Sequence, residues 1–344
     1  MKINNFLIIT FTFLILTASL AWGKLPPPGS GGGDVPANIL IMLDTSGSMG
    51  WSTKYSFKNP SDSDVDSNGN IYVVDRMDHK IIKFDPMGTL LFSFGGRGHS
   101  PGKLYFPWGI AISSDNEIFI ADTYNNQIQV FDDSGQFIRA WGGSLSGDKQ
   151  FKSGPFGIAV GNSGLVYVTE TLSHKIKIFD KQGKFISELG GYGNTKGKFF
   201  NPFGIAVDKF ENFYVADTYN HRIQKFNNKG IFLKEWGGKG NSNSRFKYNY
   251  SIAVDNDSYI YVSDWQNSRI QKFDLEGKFI GKWGSYGTKN GQFYGVIGIS
   301  IFNGKIYAPD YYGKRVQVFD QYGRYDKSVG VSLTGIEEAK LVIK

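Results

Sequence analysis

An all-β protein, a six-bladed β-propeller of four-stranded antiparallel blades, is what this chain of 344 residues predicts. Three observations carry that expectation. A phrase of about 47 residues recurs six times over residues 60–330, with an acidic anchor at Asp75, Asp122, Glu170, Asp217, Asp264 and Asp310. An aromatic keeps the same beat at Phe84, Phe131, Phe179, Phe226, Phe273 and Phe319. Each unit also holds four short apolar runs separated by turn residues. Periods of this size belong to supersecondary units that cannot bury their own apolar face and must stack on their neighbours.

In the second copy the apolar runs fall at 109–112, 118–121, 128–131 and 137–141, with polar segments 113–117, 123–127 and 132–136 between them. Short runs rich in Ile, Val and Phe, bounded by Asn, Asp and Gly, are strands joined by tight turns. Four antiparallel strands per unit and six units close into a propeller. No helical periodicity runs through this region, and only residues 337–344 suit a short helix or a closing strand.

The stretch NPFGIAVDKFENFYVADTYNHRIQKF at 201–226 resembles the NHL repeat, and the resemblance extends over roughly four fifths of the chain. The first copy departs from the pattern. There SDSDVDS, residues 61–67, stands where the other copies carry an apolar first strand, so blade one lacks an evident innermost strand. Residues 39–43 are a plausible replacement.

Ahead of the propeller, assigned to residues 57–330, lie three segments, and a C-terminal tail follows at 331–344. The first 23 residues combine Lys2, an apolar stretch at 6–16 and the small residues Ala21 and Gly23, which reads as a secretory signal peptide cleaved after Gly23. A retained membrane anchor is the alternative, although the apolar stretch is shorter than the roughly 20 residues that span a bilayer. The expected location is therefore outside the cytoplasm, with no membrane span once the signal is removed. Residues 24–36 are a Pro/Gly-rich linker. Residues 37–56 contain ANILIMLDTSGSMG, which resembles the start of a von Willebrand factor type A domain. That resemblance implies a divalent-cation site at Asp44, Ser46 and Ser48, built from oxygen ligands as Mg²⁺ requires. Only eleven residues separate Ser48 from Pro60, too few for even one of that fold's helical crossovers. The segment is thus expected to be a relic or a recruited strand, with no metal held and no cofactor bound.

The absence of Cys excludes disulfides, thiol nucleophiles and thiolate zinc sites. The net charge of +7 becomes +6 without Lys2, a modest excess that favours anionic partners without specifying one. The repeated acids are expected to accept backbone hydrogens or to meet the basic series Lys80, Lys175, Arg222, Arg269 and Arg315. A role repeated in every blade is structural, because an active site needs one set of converging groups. His79, His174 and His221 share one repeat position, which invites a zinc reading. They lie in different blades, and other copies carry Asn126, Ser268 and Lys314 there, so repeat consensus explains them better.

NHL proteins resemble propeller enzymes, amidating lyases and lactonase-like hydrolases, that place metal ligands around the central channel. Here the channel-entrance positions are Trp108, Phe156, Phe203 and Tyr250, whose rings cannot ligate a metal. No nucleophile elbow or phosphate-cradling loop appears in suitable context. Turns after the second and fourth strands emerge on one face, because successive strands reverse direction. That face should gather Tyr124, Tyr219, Trp265, Tyr311 and Tyr312 with the entrance rings, interleaved with Arg222, Arg269, Lys314 and Arg315. Phe156 and Phe203 also suit packing between blades. The expected function is an exported, non-catalytic binding module for another envelope protein or an anionic glycan. The alternatives are a channel-facing lyase or hydrolase and a nucleic-acid-binding propeller; export argues against the last.

Overall fold

The computed structural model describes residues 55–143 and 151–330. They belong to the larger of two units of the chain, Trp51–Ile336. The expectations for the signal peptide, the linker, the replacement strand at 39–43, the Asp44, Ser46 and Ser48 set and residues 337–344 lie outside the described residues. Among the described residues no helix is long and apolar enough to cross a membrane.

The described chain is a six-bladed propeller. Blade one comprises β1 (Pro60–Val65), β2 (Ile71–Asp75), β3 (Lys80–Phe84) and β4 (Leu90–Gly95). Blade two comprises β5 (Ile110–Ile112), β6 (Ile118–Asp122), β7 (Gln127–Phe131) and β8 (Phe137–Gly142), and blade three β9 (Ile158–Val160), β10 (Leu165–Glu170), β11 (Lys175–Asp180) and β12 (Phe185–Gly190). Blade four comprises β13 (Pro202–Val207), β14 (Phe213–Asp217), β15 (Arg222–Phe226) and β16 (Phe232–Gly237). Blade five comprises β17 (Asn249–Val254), β18 (Tyr259–Asp264), β19 (Arg269–Asp274) and β20 (Phe279–Trp283), and blade six β21 (Ser300–Phe302), β22 (Lys305–Asp310), β23 (Arg315–Asp320) and β24 (Tyr325–Val329). Each sheet takes its four strands in sequence order.

The core lies between the blades. Alternate residues of a strand point to opposite faces, so Ile71 and Val73 of β2 pack toward blade six while Tyr72 and Val74 pack toward blade two. Second strands therefore read as unbroken apolar runs. The ring closes through a cluster that joins Ile71, Val73, Ile82 and Phe84 of blade one to Tyr307, Val316, Val318 and Val329 of blade six. Among the described residues closure is by packing of faces, and each blade takes its four strands from one continuous stretch.

The innermost strand of blade one corrects the sequence expectation. It is the polar segment itself, Pro60–Val65, paired antiparallel with β2. Polar residues suit this place because an innermost strand faces the channel and the unpaired edges of its neighbours. Ser61 Oγ donates to the Trp108 carbonyl at 2.8 Å, and the Ser63 and Ser300 hydroxyls meet at 2.9 Å. Asp62 and Asp64 accept the backbone N–H groups of Ile110 and Ile112, at 3.3 and 2.7 Å. The side chains of blade one thus satisfy donors on the edge of β5 that would otherwise lie unpaired.

The connections from fourth strands into the next blade are held by a buried aromatic or Leu beneath a glycine. At Gly190, φ is +111° and an added Cβ would lie 2.7 Å from both the Phe199 ring and the His174 carbonyl oxygen, so only glycine fits the turn.

Candidate binding face

The acidic anchors are structural. Asp122, Asp217 and Asp264 accept the backbone N–H of Tyr105, Phe200 and Lys247 at 2.7, 2.8 and 2.7 Å, pinning the connection that enters their own blade. Asp75 and Asp310 do the same for Lys58 and Tyr294, at 2.8 and 3.0 Å, and Glu170 for Ser153 at 3.2 Å. The histidines pin the next blade. Nδ1 of His79, His174 and His221 accepts the N–H of Phe106, Asn201 and Tyr248 at 2.9, 3.0 and 3.2 Å. As acceptors these rings are neutral with the proton on Nε2, and burial lowers their pKa, which favours that form. Among the described residues no three His, Cys, Asp or Glu side chains are grouped to hold a metal ion.

The arginines expected among the face residues turn inward. Arg269 donates to Asp264 at 2.8 Å and to the carbonyls of Asn241, Ser242 and Arg245 at 2.8, 2.9 and 2.8 Å. Arg222 meets Asp217 at 2.7 Å and Arg315 meets Asp310 at 3.4 Å, and both also donate to carbonyls of the connection entering their blade. Their donors hold loops in place, because a buried guanidinium must find acceptors for its N–H groups. They are therefore fold residues, unavailable as exposed anchors.

The aromatics do gather. Trp108, Phe156, Phe203 and Tyr250 form a half-buried cluster over the channel mouth, with centroids 5.3 Å apart for Trp108 and Phe156, 5.2 Å for Phe156 and Phe203, and 4.7 Å for Phe203 and Tyr250. Tyr250 continues to Trp265 at 5.5 Å. Beyond it Trp265, Tyr286, Tyr294 and Tyr312 line a groove of about 250 Å³. Tyr124, Tyr219 and Tyr312 are exposed, and Tyr311, the neighbour of Tyr312, is half-buried. Three contributors were missed by sequence reasoning. Tyr192 and Tyr286 are 69% and 70% exposed and Tyr294 is 46% exposed, all in fourth-to-first connections that read simply as glycine-rich turns. The Tyr within GGYG and GSYG was the available signal.

Arg76, also missed, stands where the other blades carry Thr123, Thr171, Thr218, Trp265 and Tyr311. Its guanidinium lies 5.0 Å from the ring centroids of Phe106 and Trp108 and 5.9 Å from that of Tyr124.

Below the mouth the channel holds a cavity of about 170 Å³. Asp64 lies opposite Tyr72 in the register, where the other blades place Ala111, Ala159, Ala206, Ala253 and Ser300. Burial pushes the Asp64 carboxyl up to about 7 and raises Asp62 as well. An acid whose folded pKa is raised holds its proton more tightly in the native state, so stability is greatest at low pH and falls as pH rises through about 7. Asp64→Asn is therefore expected to melt higher than wild type at pH 8.5, to keep less than half of that advantage at pH 5 and to lose it below about pH 4. Both carboxylates are half-buried and channel water shields part of the effect, which leaves roughly 2 kcal/mol, or about 5 °C in Tm. A variant that melts lower at pH 8.5 would show that the bonds to Ile112 and Val65 outweigh burial.

Against known proteins, the NHL repeat model matches residues 104–131 and 201–226, segments of blades two and four. The architecture is thus an all-β, six-bladed propeller of four-stranded antiparallel blades with NHL repeats. No curated protein matches the chain. Among solved structures, a streptogramin B lyase is 16% identical with a TM-score of 0.58, over 81% of this chain and 86% of its own. A catalytically inactive virginiamycin B lyase from Staphylococcus aureus, solved with quinupristin, is 15% identical with a TM-score of 0.55, over 79% and 84%. A protein of unknown function from Bacteroides thetaiotaomicron is 15% identical with a TM-score of 0.60, over 76% and 69%. At these identities the likeness is one of fold.

Proposed function

We propose that the protein is an exported, non-catalytic binding module whose ligand, an envelope protein or an anionic glycan, docks on the face formed by the second-to-third strand turns and the fourth-to-first connections. The observation that carries this reading is the groove between Trp265, Tyr286, Tyr294 and Tyr312, which runs on through Tyr250 into the rings of the channel mouth. Large aromatics left in water on a folded surface are the usual anchors of recognition, because each offers much apolar area with few rotatable bonds. The channel offers chemistry less room. Its two carboxylates already accept backbone N–H groups of β5.

Trp265→Ala combined with Tyr312→Ala is expected to weaken capture of ligand from a cell-envelope extract by well over tenfold, since losing one such anchor commonly costs about 2 kcal/mol. Tyr322→Ala combined with Phe210→Ala removes rings that are 73% and 63% exposed in turns of the opposite face, and should leave capture unchanged. Equal capture by both double variants, or loss only in the second, would place binding elsewhere.

A further inference from the structure

We infer that Arg76 is the anion-binding end of an aromatic track and that the ligand it selects is an acidic oligosaccharide; this rests on the binding-face reading above. The side chain of Arg76 is half-buried at the channel mouth. Its Nε is buried without a hydrogen-bond partner, and among the described residues no carboxylate or carbonyl accepts from the guanidinium. Its counterparts by charge, Arg222, Arg269 and Arg315, are all engaged by an aspartate of their own blade. A guanidinium carries five donors and is never deprotonated, so one held over rings without an acceptor is a site prepared for an anion. The rings beneath it fix its plane through cation–π contact and keep water from one side.

The track leads away from this charge. Arg76 lies over Trp108, Trp108 is 5.8 Å from Phe203, Phe203 is 4.7 Å from Tyr250, and Tyr250 is 5.5 Å from Trp265 at the edge of the groove. Among the described residues Arg76 is the one cation in contact with a ring of this track, while Arg97 lies beside it over Tyr105 at 5.5 Å. A nucleic acid presents one phosphate for every base and would call for a cation beside each ring. A peptide docking by strand addition would need unpaired backbone, yet the connections of this face bond their own, as in Gly96 N–H to His79 at 2.7 Å and Leu104 N–H to Gly96 at 2.9 Å. A saccharide with one acid among several sugar rings has the matching proportion: its C–H faces stack on the rings and its acid takes the guanidinium fork.

The test measures quenching of tryptophan fluorescence in the full chain by neutral, uronic and sulfated hexasaccharides of one backbone, with an octathymidylate and a hexaglutamate peptide alongside. An acidic hexasaccharide should bind at least tenfold more tightly than the neutral one, and the uronic and sulfated arms tell which acid is taken. Arg76→Gln should bring the ratio of acidic to neutral affinity down to about one, whereas Trp108→Ala should weaken both forms and leave that ratio above one. The inference fails if no acidic saccharide binds, if Arg76→Gln binds the acidic form as wild type does, or if the nucleotide or the peptide binds more tightly than every saccharide. If Arg76→Gln still captures ligand from the envelope extract while the Trp265 and Tyr312 double variant does not, this inference is wrong and the binding face stands.

Discussion

Truncation after Phe293 is expected to leave insoluble or partly unfolded protein. The cut removes β21 to β24 and with them two interfaces at once. On one side Tyr307, Val316, Val318 and Val329 no longer cover Ile71, Val73, Ile82 and Phe84. On the other, Ile299, Ile306, Ala308 and Phe319 no longer cover Tyr261 and Ile270 of blade five. Burying one large apolar side chain is worth roughly 1.5 to 3 kcal/mol, and a domain's whole stability is of order 5 to 15 kcal/mol. Losing the cover of six such residues removes about as much as there is. Because every cluster spans two blades, no blade holds a core of its own to fall back on. Gel filtration and thermal melting of the truncated chain decide the matter: a monomer melting where wild type melts would mean that blade six is not part of the cooperative ring.

Asp264→Ala is expected to destabilise the protein by about 3 to 5 kcal/mol, the cost typical of a buried pair that loses one partner. Asp264 is fully buried and accepts from Lys247 N–H at 2.7 Å, Asn267 at 2.8 Å, Arg269 at 2.8 Å and Gln271 at 3.2 Å. Alanine leaves four donors facing a cavity, one of them on a guanidinium whose side chain is only 7% exposed. Asp264→Asn keeps the shape and one acceptor but not the charge, and should fall between the two. Urea unfolding followed by tryptophan fluorescence reads the series directly. A loss below about 1 kcal/mol for alanine would mean that Arg269 finds water by a small movement, and that the repeated acid is not what holds the connection.

The blade plan was readable because its causes are local. An apolar run, a turn and the next run follow one another along the chain, and the acidic anchor closes each unit by bonding a backbone amide 15 to 17 residues earlier, as Asp217 does with Phe200 and Asp310 with Gly295. Blade number, strand order and the shared side of the two sets of turns follow from repetition and strand reversal alone. The gathering of aromatics on one face was readable for the same reason, since Tyr124, Tyr219, Trp265 and Tyr312 follow directly on the ends of second strands.

Whether a polar side chain is free or engaged was decided only in three dimensions. Arg269 and Arg76 look equally available along the sequence, yet the acceptors that take Arg269 come from residues 241–245, in the connection folded back over it. Asp62 and Asp64 look unfit for an innermost strand until the edge of β5, almost fifty residues onward, presents its unpaired N–H groups to them. Hydrophobic periodicity is a property of neighbours in the chain. The satisfaction of a buried donor or charge depends on which distant backbone reaches it, and that is set when the blades pack into a ring.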